Sequence, residues 1–275
     1  SKALIERWHG RDRLLYAVTP RFAPTSTPTQ MQLAGRLFAE HPGVFLQSHL
    51  AENRAEVDWA TQLHPEARSY LDVYARFGQL GMRALYAHCI WLDDIDRRRM
   101  ADTGSAMSFC PTSNLFLGSG LFDLQRAREV GVRVGLGTDV GAGTSFSMLQ
   151  TMNEAYKVLQ LAGQDLSAES AFHLATLGGA RSLYLDDRIG NFAAGKEADF
   201  VVLDDGQPIN ILSFEQERDN LEILLLLDVS GSMGRLLARM GRVAQQALAV
   251  LGPDDKVGVM LFARRASMIL EPDVD

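Results

Sequence analysis

Cysteine is scarce. Cys89 and Cys110 are the two present in 275 residues, too few for a disulfide framework in a chain of this length. The sequence opens without a charged-then-apolar stretch of the signal-peptide type, so a cytoplasmic, reducing location is expected. Long hydrophobic runs are missing as well. Stretches such as Ile223 to Leu227 fall far short of the roughly 18 apolar residues that cross a bilayer, and no membrane partner is expected. Positive charge is in deficit. The 27 Lys and Arg face 34 Asp and Glu, for a net charge of −7, which is the wrong sign for gripping a phosphate backbone and argues against nucleic acid as a partner. Neither His-Glu-x-x-His nor Gly-x-Ser-x-Gly occurs, which removes the support for a zinc protease or a serine hydrolase. Cys110-Pro111 lacks the second cysteine of a cytidine-type deaminase signature. The run Gly190 to Lys196 follows a P-loop until Glu197 takes the place of the Mg²⁺-binding hydroxyl, so it reads as a turn.

What is present is the composition of an ordinary globular protein, 47% apolar and 22% charged, with enough material for a sizeable core. Short apolar runs rich in β-branched or aromatic residues (Leu14 to Val18, Val44 to Ser48, Ala84 to Ala87, Ala106 to Phe109, Val132 to Leu136) alternate with stretches of helical periodicity. Those stretches are Met31 to Ala39, Arg54 to Leu63, Ile95 to Asp102 and Gln125 to Val130. This alternation is the rhythm of parallel βα units. Further helices are expected at Met148 to Leu161 and Ser167 to Leu177, and a strand at Asp199 to Leu203. Arg21, Phe22, His49, His88, Asn114 and Asp139 fall at the C-terminal ends of the expected strands, the edge on which parallel α/β folds build their sites.

Three of these strand ends carry metal chemistry. His49 ends one strand, with Glu52 three residues later; His88 ends the next; Asp139 ends a third. Taken singly, each has an ordinary reading as a hydrogen-bonded structural histidine, a helix N-cap or a solvated charge. Taken together on successive strands, two neutral nitrogens and one carboxylate suit a first-row metal, zinc or iron, with Glu52 beside it as an acid-base group. His9, His41, His64 and His173 have no such partners and read as structural or surface residues.

The order of local motifs resembles the guanine deaminase family of the amidohydrolase superfamily over about residues 1–205. The motifs are Thr19-Pro20-Arg21-Phe22-Ala23-Pro24-Thr25, Ser48-His49-Leu50-Ala51-Glu52-Asn53, Ala87-His88-Cys89, Phe109-Cys110-Pro111-Thr112-Ser113-Asn114, Gly137-Thr138-Asp139-Val140-Gly141-Ala142-Gly143 and Gly195-Lys196-Glu197-Ala198-Asp199. The resemblance implies a TIM-like (β/α)8 metal-dependent hydrolase barrel that converts guanine to xanthine and ammonia. It implies zinc, with iron as the alternative, on His49, His88 and Asp139. It implies Glu52 as the group that moves a proton from the attacking water to a ring nitrogen, with Asp139 also accepting a proton. Arg21 and Phe22, with His88, are implied as the groups that hold the purine, and a homodimer is the assembly it leaves open. The family also carries a His-x-His pair on its first barrel strand, and His-x-His occurs nowhere in this sequence. The expectation is therefore a partial barrel lacking the N-terminal part of the fold, and whether this chain alone turns over stays open.

Residues 206–220 are polar and read as a linker. Residues 221–275 begin a new β-α-β pattern: strand Leu221 to Leu227, helix Arg235 to Leu251 and strand Val257 to Phe262. The loop Asp228-Val229-Ser230-Gly231-Ser232 resembles the metal-ion-dependent adhesion site of a von Willebrand factor A-type domain. It implies a Rossmann-like unit and a Mg²⁺ site on Asp228, Ser230 and Ser232, one carboxylate and two hydroxyls suiting a hard cation, and the alternative function it implies is a Mg²⁺-dependent adhesion-type binding module with an inert barrel segment. The plainer alternative is a Ser/Gly turn that caps the next helix. The expected organisation is thus 1–205 hydrolase barrel, 206–220 linker and 221–275 truncated A-type unit, joined at a junction between Asp204 and Asn220.

Overall fold

The computed structural model describes residues 1–197 and 199, together with the backbones of five short strands beyond them, and divides the chain into two units, 1–200 and 201–275. The first unit is built on five parallel strands in the order β1 (Ala17–Val18), β2 (Phe45–Leu50), β3 (Ala84–His88), β4 (Ala106–Phe109) and β5 (Arg133–Leu136). Each strand is hydrogen-bonded to its neighbour in sequence, with Ala17 opposite Phe45, Leu46 opposite Ala84, Leu85 opposite Ala106 and Ala106 opposite Arg133. Consecutive parallel neighbours joined by helical crossovers are the βα rhythm read from the sequence. All five strands therefore end on the same edge.

The helices of this unit are α1 (Lys2–Trp8), α2 (Pro28–Glu40), α3 (Arg54–Leu63), α4 (Tyr70–Arg76), α5 (Asp94–Thr103), α6 (Pro111–Phe116), α7 (Leu124–Glu129), α8 (Met148–Leu161), α9 (Ala168–Ala175) and α10 (Leu177–Ser182). Their starts are written in the sequence. Thr27, Asn53, Ser69, Asp93, Asp123, Ser147 and Ser167 each accept a hydrogen bond from the backbone N–H three residues on, a cap worth about 1 kcal/mol apiece. The sheet and the helices enclose a main core whose largest buried side chains include Tyr74, Tyr86, Phe109, Phe122, Met31, Leu46 and Met107, and a smaller cluster of Ile5, Val18, Ala34 and Val44. Phe109 stacks on Phe122 at 4.6 Å between ring centroids. Fully burying side chains of this size stabilises by about 1.5–3 kcal/mol each.

Several expectations are revised. The helix expected at Ser167 to Leu177 ends at Ala175 as α9, because Thr176 leaves the helical region at φ −123°, ψ −98°, and a separate helix, α10, starts at Leu177. Helices α1, α4, α6 and α10 do not figure in the sequence reading; none exceeds 7 residues, which is too short for periodicity to register. Of the strand expected at Asp199 to Leu203, Leu203 falls in β6 (Leu203–Asp204), which pairs antiparallel with β7 (Gln207–Pro208) inside the expected linker, while residues 200–202 lie outside the described residues. Gly190 and Gly195 sit at φ +101° and +84°, as a turn requires.

In the second unit, β8 (Glu222–Asp228) pairs in parallel with β9 (Lys256–Phe262), and β9 pairs antiparallel with β10 (Ala266–Leu270). The parallel pair agrees with the expected β-α-β pattern, while β10 is an addition to it. The backbone of Asp228 lies at the end of β8. Ser230, Ser232 and the helix expected at Arg235 to Leu251 lie outside the described residues. Among the described residues, no helix is long and apolar enough to cross a membrane.

Candidate metal and active site

The chemistry-bearing residues sit where strands run out and the chain turns sharply. Ala51, His88, Cys89 and Asp139 all adopt positive φ, at +50°, +71°, +53° and +46°. Left-handed backbone at non-glycine residues costs on the order of 1–3 kcal/mol each and concentrates at functional sites. Here it swings the strand ends of β2, β3 and β5 over the edge of the sheet. Glycine makes the last turn feasible: a Cβ on Gly143 would collide with the carbonyl of Thr138, and one on Gly137 would fall 2.5 Å from Ser108 Oγ.

His49 is fixed through its Nδ1–H, which donates to the backbone carbonyl of Arg21 at 2.7 Å, while its own N–H donates to the same carbonyl at 3.1 Å. Ser48 Oγ donates to that oxygen as well. Tyr74 ties the two segments together: its hydroxyl donates to the carbonyl of His49 at 2.7 Å and accepts from the N–H of Ala23 at 3.0 Å. Burial pushes the Tyr74 hydroxyl up to about 12, so it remains a neutral donor. His88 is fixed in the same way, its Nδ1–H donating to Asn114 Oδ1 at 2.8 Å. Both imidazoles are thus held by Nδ1, with Nε2 left for another task. The rings stack with centroids 5.4 Å apart and 24° between planes.

The ligand atoms of His49, His88 and Asp139 lie within 4.8 Å of one another. His88 is 1% exposed, and its Nε2 has no hydrogen-bond partner. The nearest charged groups to that nitrogen are Glu52 Oε2 at 3.7 Å and Asp139 Oδ2 at 3.9 Å. A buried nitrogen without a partner costs about 1–3 kcal/mol, and a cation at the convergence of two imidazoles and a carboxylate would satisfy it. The donor set fits zinc or another first-row metal. Burial pushes the thiols of Cys89 and Cys110 up, Cys110 to about 12, which keeps both protonated and unlike thiolate ligands.

Glu52 stands beside the set rather than in it. Its Oε1 accepts from the hydroxyl of Ser119 at 3.1 Å, and its backbone N–H donates to Glu56 Oε2 at 3.2 Å. Burial pushes the Glu56 carboxyl up. Arg21 and Phe22 lie in the loop after β1. The Arg21 side chain is exposed, with its guanidinium 5.3 Å from the centre of the Phe22 ring, and Phe22 meets Trp59 edge-on at 6.1 Å. His49, Glu52, His88, Asn114 and Asp139 therefore gather at one edge, Arg21 joins them through its backbone carbonyl, and Phe22 follows Arg21. The parts played by the Arg21 carbonyl, Tyr74, Asn114, Ser119 and Glu56 in holding them were not read from the sequence. Asn114 did stand at a strand end, and the Gly118-Ser119-Gly120 run is the signal, not used in the sequence reading, that could have pointed to the turn at Ser119.

A parallel α/β sheet with two histidines and an aspartate converging at its C-terminal edge is an arrangement able to hold a first-row metal. The sequence profile of the amidohydrolase family matches residues 2–235, and the chain belongs to that family. Guanine deaminase of Escherichia coli is 53% identical to it over 232 residues, covering 84% of this chain and 53% of that protein. The solved E. coli guanine deaminase superposes with a TM-score of 0.72 at 59% identity, over 73% of this chain and 46% of the other. A guanine deaminase from C. acetobutylicum with guanine bound in its active site gives 0.65 at 29% identity, over 70% and 48%. An adenosine deaminase from Xanthomonas campestris with bound zinc gives 0.65 at 27%, over 73% and 46%. The chain spans about half the length of the curated relatives it matches. The family match also runs past residue 205, the limit read from the sequence.

Proposed function

We propose that this chain carries the guanine deaminase active site, which hydrolyses guanine to xanthine and ammonia. The observation that carries the reading is the convergence of His49, His88 and Asp139 with Glu52 at 3.7 Å from the unpartnered His88 Nε2, in a chain 53% identical to a guanine deaminase. His49, His88 and Asp139 would hold zinc, which when bound polarises water and favours its ionisation near neutral pH. Glu52 accepts a proton from the attacking water and delivers it to a ring nitrogen of the purine. The oxygen adds to the carbon bearing the amino group, the C–N bond breaks, and the nitrogen leaves as ammonia while the carbon becomes a carbonyl. Asp139, at the edge of the same site, accepts the second proton of the water and passes it to the departing amino group, which therefore leaves as neutral ammonia. Arg21 and Phe22 hold the purine, the guanidinium by hydrogen bonds and the ring by stacking, and His88 faces the substrate as well as the metal.

Zinc-loaded protein is expected to form xanthine and ammonia from guanine in equal amounts. Glu52→Gln is expected to lower turnover by about 10²–10⁴-fold with zinc content unchanged, because Glu52 is not a ligand. Wild-type turnover in that variant, or no xanthine from the zinc-loaded wild type, would overturn the reading. Two unpaired cysteines and the acidic net charge support a cytoplasmic enzyme that binds no nucleic acid; a homodimer belongs to the same reading.

We take residues 1–205 as the hydrolase part and 206–220 as a linker. For 221–275 the parallel pairing of β8 and β9 on either side of Asp228-x-Ser230-x-Ser232 supports the opening unit of an A-type domain that binds Mg²⁺ through those three residues. The family match reaching residue 235 favours the hydrolase instead. Calorimetric titration with Mg²⁺ separates the two: saturable binding lost in Asp228→Ala supports the A-type unit, and its absence removes it.

A further inference from the structure

Ser119 lies in the turn after α6, 5% exposed, between Gly118 at φ +66° and Gly120 at φ +135°. All three of its polar groups are used. Its N–H donates to the carbonyl of Asn114 at 2.9 Å, its carbonyl accepts from Trp91 Nε1–H at 2.9 Å, and its hydroxyl donates to Glu52 Oε1 at 3.1 Å. The turn closes tightly on Trp91: a Cβ on Gly120 would lie 2.9 Å from Trp91 Cζ2 and 3.0 Å from Ile90 Cγ2. The backbone of Ser119 is therefore clamped from both sides, and its hydroxyl reaches Glu52 from a fixed point. One carboxylate oxygen is held, and the other is turned to His88 Nε2 at 3.7 Å. Asn114, whose carbonyl anchors Ser119, gives its side-chain oxygen to His88 Nδ1.

We propose that Ser119 is a positioning residue for Glu52, and that the turn from Asn114 to Ser119 sets the Glu52 carboxylate and the His88 imidazole relative to each other. The inference rests on Glu52 as the proton carrier proposed above. The terminal torsion of a glutamate is broad and nearly two-fold, so a carboxylate without a fixed donor spreads over many orientations. A proton carrier is effective only within hydrogen-bond reach of both its donor and its acceptor, and a misplacement of about 1 Å can cost about 10²-fold in rate. Holding Oε1 leaves Oε2 as the working oxygen.

Ser119→Ala removes one oxygen and adds no bulk, and Ser119→Thr restores a hydroxyl; urea unfolding of each shows that the fold is kept. In Ser119→Ala the kcat for guanine is expected to fall about 10- to 100-fold with KM and zinc per chain near wild type, and Ser119→Thr is expected to recover most of the loss. Crystal structures of the metal-free wild type and Ser119→Ala are expected to show the Glu52 carboxylate turned away from His88 in the variant. An unmoved carboxylate, an unchanged kcat, or an equal loss in folded Ser119→Ala and Ser119→Thr would overturn the proposal. A wild type that leaves guanine intact would instead remove the guanine deaminase reading, and the crystallographic comparison would still decide the role of Ser119.

Discussion

Replacing Asn114 with alanine tests how the metal site is held together. The Asn114 side chain is fully buried, and its Oδ1 is the acceptor for the Nδ1–H of His88, itself 1% exposed. Truncation leaves that N–H without an acceptor, in a place water does not reach, at a cost of about 1–3 kcal/mol. Loss of the acceptor also frees the imidazole to rotate. Removing such an outer partner of a metal-bound histidine typically costs about 10–100-fold in metal affinity, equivalent to about 1.4–2.7 kcal/mol. The two estimates agree, as they should if one hydrogen bond serves both fold and metal. Asn114→Asp keeps an acceptor at the same place, and the nitrogen it replaces, Nδ2, has no partner to lose. Zinc affinity by competition with a chelator and urea unfolding of the metal-free protein measure the two effects separately. Asn114→Ala is expected to fall in both, and Asn114→Asp to keep wild-type zinc affinity. Wild-type zinc affinity in Asn114→Ala would refute the reasoning, since His88 would then not depend on that hydrogen bond to reach the metal.

Tyr74→Phe removes the hydroxyl that joins His49 to the loop carrying Arg21 and strands the buried N–H of Ala23. Stability to urea is expected to fall by about 1–3 kcal/mol, and an unchanged midpoint would count against Tyr74 as the tie. Gly143→Ala is expected to lower zinc affinity, because the new Cβ collides with the Thr138 carbonyl and the turn that presents Asp139 must open; chelator competition measures this. Burial is the largest influence on Asp72 and would raise its pKa, but hydrogen bonds from Arg99, the Arg68 N–H and Arg76 together outweigh it and hold the carboxyl at about 2. Its contribution is fully present above the ordinary carboxylate range near 4 and is lost as the pH falls through about 2. Solvent screening of the half-exposed arginines reduces that contribution to about 1 kcal/mol. Arg99→Gln is therefore expected to lower stability at pH 7 but hardly at pH 2, and an equal loss at both would contradict the assignment.

The sheet was legible because each strand is a short apolar run bounded by polar helix starts, and helices α3 and α8 fall on the residues that periodicity marks, Arg54–Leu63 and Met148–Leu161. The convergence of His49, His88 and Asp139 was legible because a residue at a strand end keeps its place in chain order whatever the loops do. The supports were not. The contact of His49 with the Arg21 carbonyl spans 28 residues and that of Ser119 with Glu52 spans 67, distances over which a single sequence carries no pairing signal. A backbone carbonyl has no residue type to betray it, and Arg21 stood out for its guanidinium while its carbonyl is the atom that orients His49. The short helices escaped for a different reason, since a helix of six or seven residues is set by its cap and by packing more than by its own periodicity.

The most direct test of the metal centre is anomalous diffraction at the zinc edge from crystals of the zinc-loaded protein. One peak is expected about 2.0–2.2 Å from Nε2 of His49, Nε2 of His88 and a carboxylate oxygen of Asp139, with the Nδ1 bonds to Arg21 and Asn114 intact. A peak elsewhere, or one that leaves His88 Nε2 unligated, would contradict the assignment of these three residues as the metal site.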